Sequence, residues 1–330
     1  MKTLFSTING IVTWLTVATA FAIEPAAYTY TYRTIDEPGL RGINKNGEVL
    51  VGPGSPALLD KELNPTQFRC PVLPDNDNTG AIRLNNRGDV VGWCSIYSRD
   101  LNPRLPGLVA FIRDKKGTFT YLSFSDINFR GAVREIVGYG ISDDGQVVGY
   151  YCVKFAMFRG CKGHGFHWKD GKYTTIDAPV STDPNDPDGV ETYLLGVNRR
   201  GQILMEHTES FQNDFSRQKR HVFLYDNGIF TSLDYPSSLS TEGIDLNNDT
   251  QVLLFVNLGS SSGYFLWDEG KFFPIQLSLP NALSYRIHGM NDNGQLAGSY
   301  AMQVGTDPYW GSPILKSYGF IATPARIRKS

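Results

Sequence analysis

Glu206 and His207 are the adjacent pair whose types most directly suggest chemistry, because a carboxylate and an imidazole side by side can act as general acid and base. Glu209 follows two residues later, and the equivalent positions elsewhere in the chain hold Tyr150-Tyr151 and Ser299-Tyr300. Drift onto an exposed strand end accounts for the same residues without chemistry. A second set places arginines beside aromatics: Tyr97, Arg99 and Arg104; Phe129 and Arg130; Phe158 and Arg159; Phe215, Arg217, Lys219 and Arg220; then Tyr309 and Trp310. Guanidinium forks match carboxylates and flat rings pack on sugars or on partner side chains, so these residues point to an acidic glycan or a protein ligand. They could equally pin their own loops. Asp75, Asp77 and Thr79 before Gly80, and Asp183, Asp186 and Asp188 before Gly189, carry oxygens near a glycine as calcium loops do. The closing Glu of that motif is missing, with Asn86 and Leu195 in its place, so ordinary turns are the other reading. No other cofactor is implied, and no G-x-S-x-G elbow, Walker loop, H-E-x-x-H or dinucleotide fingerprint occurs.

The elements that must carry these residues follow from a repeat of roughly fifty residues, a period typical of repeat architectures. Its first half reads Gly42-Ile-Asn-Lys-Asn-Gly-Glu-Val-Leu, Arg83-Leu-Asn-Asn-Arg-Gly-Asp-Val-Val-Gly and Gly140-Ile-Ser-Asp-Asp-Gly-Gln-Val-Val-Gly. It returns as Gly196-Val-Asn-Arg-Arg-Gly-Gln-Ile-Leu, Asp245-Leu-Asn-Asn-Asp-Thr-Gln-Val-Leu and Gly289-Met-Asn-Asp-Asn-Gly-Gln-Leu-Ala-Gly. In the Asn-x-x-Gly core the Asn side chain can bond the backbone two residues on, and Gly accepts the positive φ that closes a hairpin. A second half carries Phe166/Trp168, Phe223/Tyr225 and Phe265/Trp267 in period-two alternation, each followed by a tight turn at Asp170-Gly171, Asn227-Gly228 or Glu269-Gly270. His164 and His221 share the position just before the phenylalanine, which marks them as repeated packing or hydrogen-bonding residues; His288 is uninformative.

Each unit therefore comprises four antiparallel strands, A to D, and the fold class is all-β: a six-bladed β-propeller. The last copy ends on a C strand, Tyr318 to Thr323, while the N-terminal segment Tyr32-Arg-Thr-Ile-Asp matches the D strand Tyr173-Thr-Thr-Ile-Asp. That first strand is expected to complete the last blade and remove the open edges. The pattern G-I-N-x-x-G-x-V-V-G-Y followed by H-x-F-x-W-x-D-G-x-x-T-x-I-D-x-P resembles the HAF-type extracellular repeat of secreted bacterial proteins, best between Gly140 and Pro179 and worst between Pro56 and Leu73; Thr250 replaces the turn glycine in blade five. The resemblance implies secretion and a propeller-like fold, and brings no catalytic residue or substrate.

In such a blade the A–B and C–D turns share one end, and here they are tight. The B–C and D–A connections share the other and are long: Ser95–Gly107, Ser123–Arg134, Cys152–Gly163, Asp177–Glu191, Thr208–Arg220 and Ala301–Ser317. Loops on a rigid scaffold carry function disproportionately, so the B–C/D–A face is the expected binding surface.

Residues 1–22 follow the plan of a secretory signal peptide, with Lys2, an apolar run around Ile11 to Leu15 and Ala20-Phe21-Ala22, leaving 23–330 as a single domain. All four cysteines lie beyond it, as an oxidising compartment permits. Cys152 and Cys161 flank one short segment and are expected to pair, leaving Cys70 with Cys94; the paired close spacings of a zinc cluster are absent. A net charge of −2 at pH 7 counts against a nucleic-acid binder, and no later apolar run reaches the ~20 residues of a membrane span. With 41% apolar and 19% charged residues in 330, wholesale disorder and coiled coil are excluded. The expectation is a monomeric secreted or periplasmic module that binds a carbohydrate or an envelope protein, with a polysaccharide lyase or glycoside hydrolase as the alternative.

Overall fold

The computed structural model describes residues 28–52, 54–71, 79–95, 107–122, 132–154, 161–179, 190–211 and 214–325, the side chains of 132, 134, 153, 154, 161, 162, 190, 209–211 and 214–218 excepted. Every regular element among them is a β-strand. β1 (Tyr28–Ile35) is followed by consecutive groups of antiparallel strands. Unit I holds β2 (Leu40–Ile43), β3 (Val49–Val51), β4 (Ala57–Leu59) and β5 (Pro65–Gln67). Unit II holds β6 (Thr79–Leu84), β7 (Val90–Ser95), β8 (Leu108–Arg113) and β9 (Phe119–Leu122). Unit III holds β10 (Ala132–Ile141), β11 (Val147–Lys154), β12 (Cys161–Lys169) and β13 (Lys172–Thr175). Unit IV holds β14 (Val190–Val197), β15 (Ile203–Phe211), β16 (Asp214–Asp226) and β17 (Ile229–Ser232). Unit V holds β18 (Ser240–Leu246), β19 (Val252–Asn257), β20 (Ser262–Asp268) and β21 (Lys271–Gln276). Unit VI holds β22 (Ala282–Met290), β23 (Leu296–Thr306) and β24 (Pro313–Pro324). β1 pairs antiparallel with β24 from Tyr30↔Pro324 to Ile35↔Gly319 and so stands fourth in this unit; two residues at its start also pair parallel with β21.

The turn chemistry explains the hairpins. Asn44 accepts the backbone N–H groups of Asn46 and Glu48 on its side-chain oxygen, and Gly47 takes φ +83°. The same cap recurs at Asn85, Asn198, Asn247 and Asn291, and Thr250 is held at φ +69° where its siblings have glycine. In units III to V both residues of the C–D turn take positive φ, as at Asp170-Gly171 and Asn227-Gly228, the geometry that matches strand twist in a two-residue hairpin.

The core is divided among the seams between successive sheets. Leu50, Phe68, Val90 and Phe111 fill the seam of units I and II; Leu204, Val222, Val252 and Phe265 that of IV and V; and Leu40, Val49, Ala297 and Ile321 that of VI and I. The first strands touch in succession, β2 with β6, β6 with β10, β10 with β14, β14 with β18, β18 with β22, and β22 with β2. Cys70 and Cys94 form a disulfide across the I–II seam, with Cα atoms 6.1 Å apart. Cys152 is disulfide-bonded as well, and the side chain of Cys161 lies outside the described residues.

Two connections expected as loops are strand instead. Ala301–Ser317 continues the β23–β24 ladder out to Thr306↔Pro313, and Thr208–Arg220 continues β15–β16 out to Phe211↔Asp214. Each side chain in an extended hairpin needs only its cross-strand neighbour, so the ladder runs on past the sheet that carries it.

Candidate functional site

Each first strand contains a one-residue irregularity at the same place, three residues before the turn Asn or Ser. The pairing skips between Leu40 and Gly42, Ala81 and Arg83, Gly138 and Gly140, Leu194 and Gly196, Gly243 and Asp245, and Ile287 and Gly289. The bulged residues are Arg41, Ile82, Tyr139, Leu195, Ile244 and His288. A bulge re-aims a side chain and raises local twist. Tyr139, Leu195, Ile244 and His288 accordingly meet from four units around one central cavity of about 770 Å³.

One residue further on, four units have glycine because the first strands crowd together. A Cβ on Gly140 would lie 2.7 Å from the Gly196 Cα, and one on Gly289 would lie 3.1 Å from the Gly42 Cα. Units II and V depart from this, with Arg83 and Asp245, and the two side chains form an ion pair, Nη1 to Oδ2, at 3.1 Å. Arg83 also donates to the carbonyls of His288 and Ile244, and Asp245 accepts the N–H groups of Met290 and Leu246. Burial pushes the Asp245 carboxyl up, against the opposing pull of Arg83. This pair is the floor of the cavity.

Beneath it lies a polar seal. Asn44 donates to the Asn85 carbonyl, Asn85 to that of Ser142, Asn198 to that of Asn247, and Asn291 to that of Asn44. At the next position the units carry Lys45, Asn86 and Asp143, then Arg199, Asn248 and Asp292. Asn86 and Asn248 each donate to both Asp143 Oδ2 and Asp292 Oδ2, at 2.8–3.0 Å. Residues of all six units, Gly196 and Val197 of β14 among them, line the small remaining void of about 50 Å³. The cavity therefore opens away from the A–B turns, toward the B–C and D–A connections, where its wall continues as Tyr264, Tyr285, Arg286 and Tyr300 with Ser262, Ser284, Ser299 and Ser317.

Charge is unevenly placed around this wall. Burial lowers the His288 pKa to about 4, reinforced by Arg41, Arg286 and Arg83, and its Nε2 bonds the Ser299 hydroxyl. Burial, then Arg83 and Arg286, lowers the Arg41 pKa, and Arg41 Nε donates to the Gly52 carbonyl. On the other side Arg220 faces Glu242 at 3.2 Å and Glu206 at 3.7 Å. Burial raises Glu206 to about 7; Arg220 opposes the shift and Glu242 adds to it.

Glu206 and His207 are thus not at an exposed strand end: they are 7% and 3% exposed. Tertiary packing of unit IV against unit V covers β15, and Glu206 accepts the Gly243 N–H behind the cavity wall. The His207 ring stacks on His221 at 6.4 Å. His164 and His221 are hydrogen-bonding residues as the repeat implied: each Nδ1 meets the carboxylate that ends the D segment, Asp177 or Asp234. Tyr309 and Trp310 stand at the tip of the β23–β24 hairpin, 83% and 78% exposed and edge-to-face with each other, away from the cavity wall. Tyr97, Arg99, Arg104, Phe129, Arg130, Phe158 and Arg159, with Asp75, Asp77, Asp183, Asp186 and Asp188, lie outside the described residues, as do the side chains of Glu209, Phe215 and Arg217. The described residues contain no cluster of three or more His, Cys, Asp or Glu suited to a metal.

Comparison with known proteins adds fold-level similarity. No protein-family model matches the chain, and no curated protein matches it. Among solved structures, the β-propeller domain of the Trilobed protease from Pyrococcus furiosus is similar at TM-score 0.44 and 12% identity, over 85% of this chain and 79% of that one. TolB from Acinetobacter baumannii is similar at 0.43 and 14%, over 91% of this chain and 64% of that one, so the chain spans less than two thirds of that protein. A gluconolactonase from Xanthomonas campestris is similar at 0.46 and 9%, over 92% and 95%.

Proposed function

We propose that the six units form one closed six-bladed propeller and that the protein is an exported binding module, secreted or periplasmic, which takes a carbohydrate into the central cavity from the B–C/D–A face. The observation that carries this reading is the one-sidedness of the cavity: bulges aim side chains into a space that the Arg83–Asp245 pair closes below. Ring closure draws support from the β1–β24 pairing, from the apolar seam between units VI and I, and from the Asn291 bond to the Asn44 carbonyl. Export draws support from the Cys70–Cys94 disulfide, since such bonds persist in oxidising compartments.

A wall of tyrosine rings interleaved with serine hydroxyls suits sugar, whose ring faces are apolar and whose edges are polar. A general acid must reach its substrate, and Glu206 is turned to the Gly243 N–H rather than into the cavity, which favours binding over hydrolysis or lyase chemistry. The test is calorimetric titration of neutral and acidic oligosaccharides into the full protein and into Tyr285→Ala. Binding that the substitution weakens at least tenfold is expected. Absence of binding across the panel, or binding indifferent to Tyr285, would overturn the reading, and release of products would replace it with the enzymatic alternative.

A further inference from the structure

The positive charge of the cavity is concentrated on one side. Arg83 from unit II and Arg286 from unit VI line the cavity with His288, and Arg41 from unit I adds to the positive potential on that imidazole. Among the described residues Asp245 forms its ion pair with Arg83. Neither Arg41 nor Arg286 has a carboxylate partner among the described residues: Arg41 is held by a backbone carbonyl and Arg286 by the Tyr264 hydroxyl. Glu242 also lines the cavity, and Arg220 pairs with both it and Glu206, so these carboxylates already have their own counter-charge. Uncompensated guanidinium charge is costly in a partly buried wall unless something fills it.

We infer that the corner formed by Arg286 and His288 is a carboxylate subsite, which makes a uronate-bearing saccharide the preferred occupant of the cavity. The inference rests on the reading of the cavity as a saccharide site. Planar guanidinium forks accept a carboxylate through two parallel charge-assisted bonds, which the neutral hydroxymethyl group of an ordinary hexose cannot supply. His288 adds no charge of its own at neutral pH, because its surroundings hold the ring neutral, and it offers the corner a polar, hydrogen-bonding edge. Tyr264 and Tyr285 flank Arg286 and provide the apolar faces against which the sugar ring would lie, their centroids 5.6 Å apart.

The test compares affinities of the full protein for galacturonate, glucuronate and mannuronate oligomers with those for neutral oligomers of galactose, glucose and mannose. At least one uronate oligomer should bind ten times or more tighter than its neutral counterpart, with the advantage shrinking as salt is raised. Arg286→Ala should abolish the advantage, bringing the uronate and neutral affinities level, whereas Arg286→Lys should restore part of it. Tyr285→Ala should weaken both classes together. Equal affinity for acidic and neutral members, unaffected by Arg286→Ala, would overturn the subsite and leave the saccharide reading standing. Silence from every oligomer would overturn the saccharide reading and the subsite with it.

Discussion

The turn end and the bulge end of the first strands are built from the same repeat and behave in opposite ways. At the turn end, the asparagines find their partners within the protein: each caps its own turn or reaches the next unit, and Asn86 and Asn248 join Asp143 and Asp292 in a set of bonds. At the bulge end, arginines, tyrosines and serines from the first strands and from their neighbours in the sheets face an open space. Only three to five residues separate the two, so strand identity cannot decide the role. The decisive difference is the bulge, which turns the side chain of one residue inward just before the strands come too close to admit any. Arg83 and Asp245 sit on the boundary.

That contrast implies that changes below the boundary alter stability and those above it alter binding. Asp245→Ala strands a buried guanidinium and should cost about 3–5 kcal/mol in denaturant unfolding. The double change Arg83→Gly and Asp245→Gly, which restores the residue of the sibling units, should cost less than the sum of the singles. If the singles prove additive, the two side chains do not act as a unit. Glu206 comes next. Its folded pKa near 7 lies above the ordinary carboxylate value, so the folded state favours the protonated form. Stability should therefore fall as pH rises from about 4.5 through 7, by something on the order of 3 kcal/mol, and Glu206→Gln should flatten that slope. An unaltered slope in the variant would assign the pH dependence to other groups. Asn248→Asp replaces an amide donor with a third carboxylate beside Asp143 and Asp292, and should cost about 1–3 kcal/mol at neutral pH, recovered on acidification. Smallest of all, Tyr309→Ala and Trp310→Ala on the exposed hairpin tip should change stability by no more than about 0.5 kcal/mol. A larger loss would show that the tip packs on something within the protein.

The repeat made the strands legible, since Asn-x-x-Gly turns and alternating aromatics are local signals that the fold obeys residue by residue. The spare strand at Tyr32–Asp36 was legible for the same reason, because it matches the D strand of unit III. The roles of His164 and His221 were readable too: each recurs thirteen residues before an aspartate that it bonds. The cavity was not, because a bulge is a property of pairing between strands and leaves no composition signal in either one. Its floor could have been found from the alignment of the six copies, in which Arg83 and Asp245 stand where Gly42, Gly140, Gly196 and Gly289 stand in the others. A glycine kept for close approach is most informative where it is replaced. The Glu206-His207 departure drew attention for its chemistry, and its burial reflects packing from unit V that no local pattern encodes. A second overlooked signal is a threonine six residues before the turn: Thr79, Thr192 and Thr241 each accept the N–H of the connecting segment, at Cys70, Ala178 and Tyr235.

The pairing of β1 with β24 also orders events in time. Tyr32 lies opposite Ala322, so the contact joins segments 290 positions apart in the chain. A polypeptide that emerges amino end first must keep β1 waiting until nearly all of the sequence has appeared. Contacts of such high sequence separation form late and slowly, and an unpaired strand left exposed meanwhile invites association with other chains. The yield of correctly assembled protein should therefore be governed by how long that first strand stays solvated, and a helper that shields it during emergence would matter more than any added stability of the finished molecule.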